Sequence, residues 1–271
     1  MRNVGNLIPP AGADGISVGD LSEASAIEYS VLVLKVSNIV VCGHSACGAM
    51  KELEASKSDT EVPNLSRWLH HAQNAAFRLR HEGPLDAALP THDQLSQLNV
   101  LVQLEHLMSY PIVRGRVSAG TSRLSGWWFD VGAGTMHAYD RVSRSFGIID
   151  RPMAERAVVL GQRILIAATI ESTLEPTRAL VREVASAAGR EIRTSALLCE
   201  GAWAHLERGD LEGYHRAIAQ ALRQGARDAD VVILAQASMA PAAALCVELP
   251  APVLSSPRLG IAQALARYRS R

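Results

Sequence analysis

The run Ile39-Val40-Val41-Cys42 ends on Gly43, and a helical pattern opens almost at once at Cys47. Continuous β-branched residues of this kind mark a strand covered on both faces, as in a parallel sheet. Gly43 ends that strand, and Cys47 to Ala55 reads as the start of the next helix. His44 and Cys47 therefore fall in a strand-to-helix turn, where open α/β sheets carry their chemistry. Zinc favours thiolate and imidazole ligands in a tetrahedral site, and a turn offering both three residues apart can bring them to one metal. The competing reading is a core cysteine beside a surface histidine.

The rest of the chain supplies an α/β frame. Asp20-Leu21-Ser22-Glu23 has the form of a capping box, followed by Leu21, Ala24, Ile27, Val31 and Leu34 at helical spacing. Pro63 suits the first turn of a helix running toward Arg80. Thr91-His92-Asp93-Gln94 reads as another capping box, opening a helix that Pro111 closes. Leu124 to Val131 and Met136 to Tyr139 read as a hairpin at a sheet edge, turned by Gly132-Ala133-Gly134. Beyond Asp150 a new βα alternation begins: strands at 163–170, 191–199, 231–235 and 252–255, helices at 175–188, 211–224, 240–247 and 258–268. That pattern predicts a second parallel α/β unit, with residues 151–162 as the connection.

With 271 residues, the chain has room for two modest domains at about 150 residues each. Charge is balanced, 27 Lys and Arg against 27 Asp and Glu, with no basic stripe. Nucleic acid and anionic membrane are therefore excluded as partners, and a small neutral or anionic substrate fits better. The stretch Val31 to Val41 is too short and too polar to span a bilayer, and the N-terminus lacks a signal peptide's apolar core. A cytoplasmic protein is expected. Cysteines at 42, 47, 199 and 246 are too few and scattered for a disulfide framework, and only Cys42 and Cys47 lie near a histidine.

The segment from Ile39 to Lys51, containing Cys42-Gly43-His44-Ser45-Ala46-Cys47-Gly48, resembles the zinc signature of β-class carbonic anhydrases. Arg2-Asn3-Val4-Gly5-Asn6, Ser25-Ala26-Ile27-Glu28-Tyr29, Asn99 to Glu105, and Gly126-Trp127-Trp128-Phe129-Asp130 extend the resemblance in the family's order over residues 1–150. It implies His44 and Cys47 as zinc ligands, carbon dioxide and bicarbonate as substrates, and a homo-oligomer built of dimers. In such an enzyme zinc lowers the pKa of bound water, and the hydroxide attacks carbon dioxide in an apolar pocket.

The family's third ligand and its Asp–Arg pair come from a Cys-X-Asp-X-Arg motif that no part of this sequence contains. The catalytic residues are therefore unknown, and little hydration activity is expected of the chain as written. Cys42 is expected to be buried in the sheet, and His70, His71, His92 and His106 to be solvated or internally satisfied. The resemblance makes Arg2 to Asn6 a strand and implies a further strand between it and Ile39 to Cys42, leaving two edges unpaired. Met1 would then interrupt a strand, so the motif is expected to be encoded upstream, in frame, or to have been lost by deletion.

Arg163 to Arg178, Leu234 to Ala240 and Val253 to Pro257 resemble the aspartate/glutamate racemase-like superfamily, over about half of that fold. The resemblance implies paired cysteines as acid and base, but Ala235 to Met239 contains none. Cys199 and Cys246, away from the expected position, read as small buried hydrophobes. Ser172, Thr173, Ser238 and Ser255 could line a carboxylate pocket or serve as caps and turns.

The fold expected is thus α/β: an incomplete β-carbonic-anhydrase-like zinc domain at 1–150, a linker at 151–162 and a small parallel α/β half-domain at 163–271. The leading function is zinc-dependent carbonic anhydrase, a lyase. The alternatives are a racemase-like isomerase, a carboxylate-binding domain, or a catalytically dead fusion remnant.

Overall fold

Asp20 caps the first helix, α1 (Leu21–Leu32), its carboxylate accepting from the Ser22 amide at 2.6 Å. Glu23 does not complete the expected box; it accepts from Asn3 Nδ2 at 3.3 Å instead. Residues 2–55, 62–257 and 259 are described in this computed structural model. They fall into two units, Met1–Gly147 and Ile148–Arg271.

In the first unit, Val4–Asn6 is a 3-10 turn with Gly5 at φ 75° and Asn6 at φ 48°, so the expected strand at Arg2 to Asn6 is not formed. The expectation about Met1 lies outside the described residues. After α1 come β1 (Asn38–His44), α2 (Gly48–Ala55), α3 (Pro63–Leu69), α4 (Gln73–Glu82), α5 (Thr91–Ser109) and α6 (Pro111–Ser118). The single helix predicted from Pro63 to Arg80 is interrupted by a 3-10 turn at His70–Ala72. Pro111 opens α6 rather than merely closing α5, because its fixed φ suits a first helical turn. Then follow β2 (Arg123–Asp130), β3 (Thr135–Asp140) and β4 (Ser145–Ile148), so the predicted hairpin is a three-stranded meander.

The sheet order is β1-β2-β3-β4, with β1 parallel to β2 from Asn38↔Arg123 to His44↔Phe129, and β2 antiparallel to β3. Helix α5 packs on this sheet with almost no clearance. A Cβ on Gly43 would lie 2.8 Å from Val100 Cγ2, and one on Gly126 2.9 Å from Val100 Cγ1. Val41, Val100, Leu104 and Leu107 form the core beneath, together with Ile27 and Val31 of α1.

Among the described residues β1 is an edge strand covered on one face only. Val41 and Gly43 are buried against α5, whereas Val40, Cys42 and His44 are exposed. The expectation of a strand covered on both faces, with Cys42 buried, is therefore corrected. A continuous apolar run cannot by itself say whether one face or two will be covered.

The second unit does have the doubly covered sheet. It opens with α7 (Arg151–Leu160), whose Met153, Ala154, Ala157 and Val158 are buried in its core. Residues 151–160 are thus a packed helix and not a linker, because their apolar positions recur at helical spacing. There follow β5 (Arg163–Ala168), α8 (Leu174–Ala187), β6 (Arg193–Leu198), α9 (Ala202–Glu207), α10 (Leu211–Gly225), β7 (Val231–Leu234) and β8 (Val253–Ser255). The short helix predicted at 240–247 is a 3-10 segment, Ala237–Leu245, with Pro241 inside it. The helix predicted at 258–268 lies outside the described residues, apart from position 259.

All strands here run parallel in the order β6-β5-β7-β8. Leu165, Ala167, Val232 and Leu234 enter one core with α10, while Ile164, Ile166, Val231 and Ile233 enter another with α7 and α8. At the start of β5, Asp230 accepts from the Arg163 guanidinium at 2.7 and 3.0 Å and from the amides of Arg163 at 2.8 Å and Gln162 at 3.0 Å. These contacts, Arg163 foremost, hold its carboxyl at a pKa of about 2, against an ordinary 3.8. Among the described residues no helix is long and apolar enough to cross a membrane.

Two outcomes follow from this packing. Gly43→Ala should cost the first unit about 1–3 kcal/mol in urea denaturation, the penalty of overpacking against Val100; an unchanged midpoint would refute the close approach. Asp230 has a depressed folded pKa, so its stabilisation is complete above pH 3.8 and is lost as pH falls toward about 2. The difference in melting temperature between the wild type and Asp230→Asn should therefore narrow across that interval, and a constant gap would count against the assignment.

Candidate functional site

The turn between β1 and α2 is built by contacts from α5 and the end of β2. The Ser45 amide continues the β1–β2 ladder by donating to the Phe129 carbonyl at 2.9 Å, and Ser45 Oγ accepts from the Val131 amide at 2.8 Å. From α5, Ser96 Oγ donates to the His44 carbonyl at 2.8 Å and accepts from Trp128 Nε1 at 3.2 Å. One turn earlier, Asp93 Oδ1 accepts from the Ala46 amide at 2.6 Å.

Ala46 sits at φ 55°, a left-handed conformation that L-residues other than Gly, Asn and Asp rarely adopt. Such a residue stores about 1–3 kcal/mol of strain and persists only where its surroundings enforce it. Asp93 is the enforcing group. The predicted capping box at Thr91 does not form, since Pro90 occupies the N-cap and Thr91 is already helical. The Asp93 carboxylate is directed to the turn instead.

The result is an exposed imidazole and a buried thiol three residues apart. His44 Nδ1 donates to the Ser45 carbonyl at 2.8 Å, which leaves Nε2 with its lone pair free. Cys47 is 4% exposed and immediately precedes α2. This donor chemistry suits zinc, yet a catalytic zinc ordinarily takes three protein ligands. Among the described residues, no group of three or more His, Cys, Asp or Glu side chains is placed to hold a metal ion. Among the described residues the donor set for such a zinc is incomplete.

The remaining sequence candidates are engaged elsewhere or open to solvent. Cys42 is exposed on the same strand face as His44, and burial of its sulfur among neighbours raises its thiol pKa. His92 lies 3.6 Å from both Glu54 and Asp93. His106 Nδ1 donates to the Ile8 carbonyl at 2.7 Å, and desolvation lowers its pKa. His71 is lowered by burial and by His106 and His70, and meets Trp68 edge-on at 5.7 Å. His70 is exposed.

In the second unit a polar cluster stands at the C-terminal ends of β5 and β7. Gln236 Oε1 accepts from the Thr169 amide at 2.7 Å and from its hydroxyl at 2.9 Å, while Tyr214 OH lies 3.3 Å from Thr169 Oγ1 and 2.9 Å from Ser238 Oγ. Thr173 Oγ1 donates to the Ile170 carbonyl at 2.8 Å, the turn role considered for it. Ser172 is exposed and Ser255 is 9% exposed. Cys199 directly follows β6, closer to the strand ends than expected, yet it is 1% exposed, and Cys246 is 3% exposed. Burial, then the neighbouring Cys246, pushes the Cys199 thiol up to about 11, and burial also raises Cys246.

The first unit is thus an α/β domain presenting a histidine and a cysteine at a strand-to-helix turn. Residues 1–136 match the sequence profile of the carbonic anhydrase family. A carbonic anhydrase of Pseudomonas aeruginosa is 37% identical over 159 residues, covering 58% of this chain and 69% of that protein. One from Synechococcus elongatus is 36% identical over 185 residues, covering 65% of each. The solved β-carbonic anhydrase CcaA is similar at 33% identity and a TM-score of 0.48, over 55% of this chain and 70% of that one. The chain belongs to the carbonic anhydrase family, in its β class, through its N-terminal half. Carbonic anhydrases are lyases that interconvert carbon dioxide and bicarbonate. The chain spans about two thirds of the length of these curated relatives.

Asp93 and Ser96 are the residues that sequence reading missed at this site. Asp93→Ala should destabilise the first unit by about 1–3 kcal/mol, because it strands the Ala46 amide and releases the strained turn. Ala46→Gly should stabilise the wild type in chemical denaturation by relieving that strain, and stabilise the Asp93→Ala variant less, because there the turn has already relaxed; an equal gain in both backgrounds would mean that the strain is not held by Asp93.

Proposed function

We propose that residues 1–150 act as a β-carbonic-anhydrase zinc domain, with His44 and Cys47 as two of the metal's ligands and carbon dioxide or bicarbonate as substrate. The observation that carries this reading is the pairing of a free His44 Nε2 with Cys47 in one turn clamped by Asp93 and Ser96. Bound zinc would supply a nucleophilic hydroxide at neutral pH. His44 would be oriented by its bond to the Ser45 carbonyl, as metal-binding imidazoles commonly are. A third donor is still required, and none of the described residues joins the pair.

For residues 163–271 the proposal is a racemase-like α/β half-domain that binds a carboxylate without racemising it. The hydroxyls and amide at the strand ends favour binding, and the buried Cys199 and Cys246 disfavour proton transfer. A catalytically dead fusion remnant is the reading that remains if neither unit has a ligand. The open edge and face of β1, with Val40 41% exposed, favour assembly of copies into a homo-oligomer. Four free cysteines, Cys42 among them exposed, favour a reducing, cytoplasmic setting.

The test is zinc content beside carbon dioxide hydration. Cys47→Ser should abolish zinc retention, while Cys42→Ser leaves it nearly unchanged; equal losses would make Cys42 a ligand. Stopped-flow hydration should stay far below the roughly 10³ s⁻¹ of a good enzyme. A rate above that would overturn the incomplete ligand set, and a chain that never takes up zinc would overturn the metal assignment.

A further inference from the structure

Along one side of the contact between α5 and the sheet runs a groove with an apolar floor. Leu98, Leu101, Leu104 and Met108 on α5, with Leu124 on β2, floor this groove of about 430 Å³. That volume lies in the range of small-molecule sites. Leu101 and Met108 remain half-buried there, with Tyr139 of β3 beside them.

Three arginines stand around this floor. Arg78 is neutralised by Glu105 at 2.6 Å. Arg141 and Arg144, on the turn between β3 and β4, have no ion-pair partner among the described residues, and the single further acid of the lining is Glu82. The groove therefore carries a net positive mouth over an apolar floor. Asp140 contributes its Oδ1 to its own turn, accepting from the Val142 amide at 2.8 Å. Arg144 is held at φ 52°, in the region where glycine or asparagine is ordinarily found. Gly134, the fourth residue of the β2–β3 turn, has the same conformation at φ 65°, so the left-handed position belongs to the turn and Arg144 occupies it where the preceding turn has glycine.

We propose that this groove binds an amphipathic monocarboxylate, its apolar body on the α5 leucines and its head between Arg141 and Arg144. Guanidinium is suited to that head because its planar fork matches a carboxylate with two parallel hydrogen bonds. Leucine and methionine supply the contact for a linear or flat hydrocarbon body. Neither His44 nor Cys47 takes part, so the site is independent of the metal reading.

Decanoate is the probe, measured by isothermal titration below its micellar range, with 1-decanol and decyltrimethylammonium as uncharged and cationic comparisons. Decanoate should bind at one per chain. Arg141→Ala combined with Arg144→Gly should weaken it by about tenfold or more, while leaving the weaker decanol binding unchanged. Arg144→Gly also removes the left-handed strain, so this variant should melt no lower than the wild type, which separates lost recognition from lost folding. Leu101→Asp should abolish binding of both probes. Decanoate binding that survives the double substitution, equal binding of the ammonium compound, or no binding by the wild type would each overturn the proposal.

Discussion

The close contact of α5 with β1 and β2 is the constraint on which the first unit depends. Two positions without side chains, Gly43 and Gly126, sit on adjacent strands and admit Val100 between them. Because the helix is fixed at that distance, the residues one turn toward its N-terminus reach beyond the strand end. Ser96 then meets the His44 carbonyl, and Asp93 the Ala46 amide. A larger residue at either glycine would lift the helix and withdraw both anchors together. The turn geometry is thus a consequence of helix-on-sheet packing, and the packing is a consequence of two glycines.

The two sheets expose different amounts of chemistry for the same reason. In the second unit, alternate residues of β5 and β7 enter cores on opposite faces, so those strands are uniformly apolar and present polar groups only at their ends. In the first unit β1 has a single covered face, and its open face carries Cys42 and His44 beside Trp127 and Phe129 of β2. A side chain that must reach a metal or a substrate needs such an uncovered position. The thiol of Cys47, one step into the helix connection, is sheltered where the imidazole is not.

Much of this was legible in the sequence, and the failures have identifiable causes. Strands β5 to β8 and helices α8 and α10 were read because apolar runs and helical stripes alternate there, whereas the short α9 was not read and the helix expected at 240–247 is a 3-10 segment. Helix α7 was missed because its Arg151-Pro152 start resembles a connection, although Pro suits a first turn. Strand β4 is only four residues long and contains Gly147, which gives too little pattern to recognise. His44 and Cys47 were visible as a local pair. Their anchors lie 47 and 52 residues away in sequence, and Asp93 had a plausible local role that its structural neighbour displaced.

The cysteines show how far the environment, and not the residue type, decides what a thiol can do. Cys199 and Cys246 are enclosed by the apolar core that also holds Tyr214, Ile218 and Leu222. A thiolate there would lose its solvation, which is why burial drives both pKa values upward, in Cys246 against the smaller opposing effect of Arg223. Such a thiol is neutral at physiological pH and cannot serve as a general base. Cys47 is also buried, but it stands at the opening of α2, three residues after His44 in the same turn. Among the described residues Cys47 alone combines burial with a helix start and a histidine three residues before it, and the zinc proposal rests on that combination.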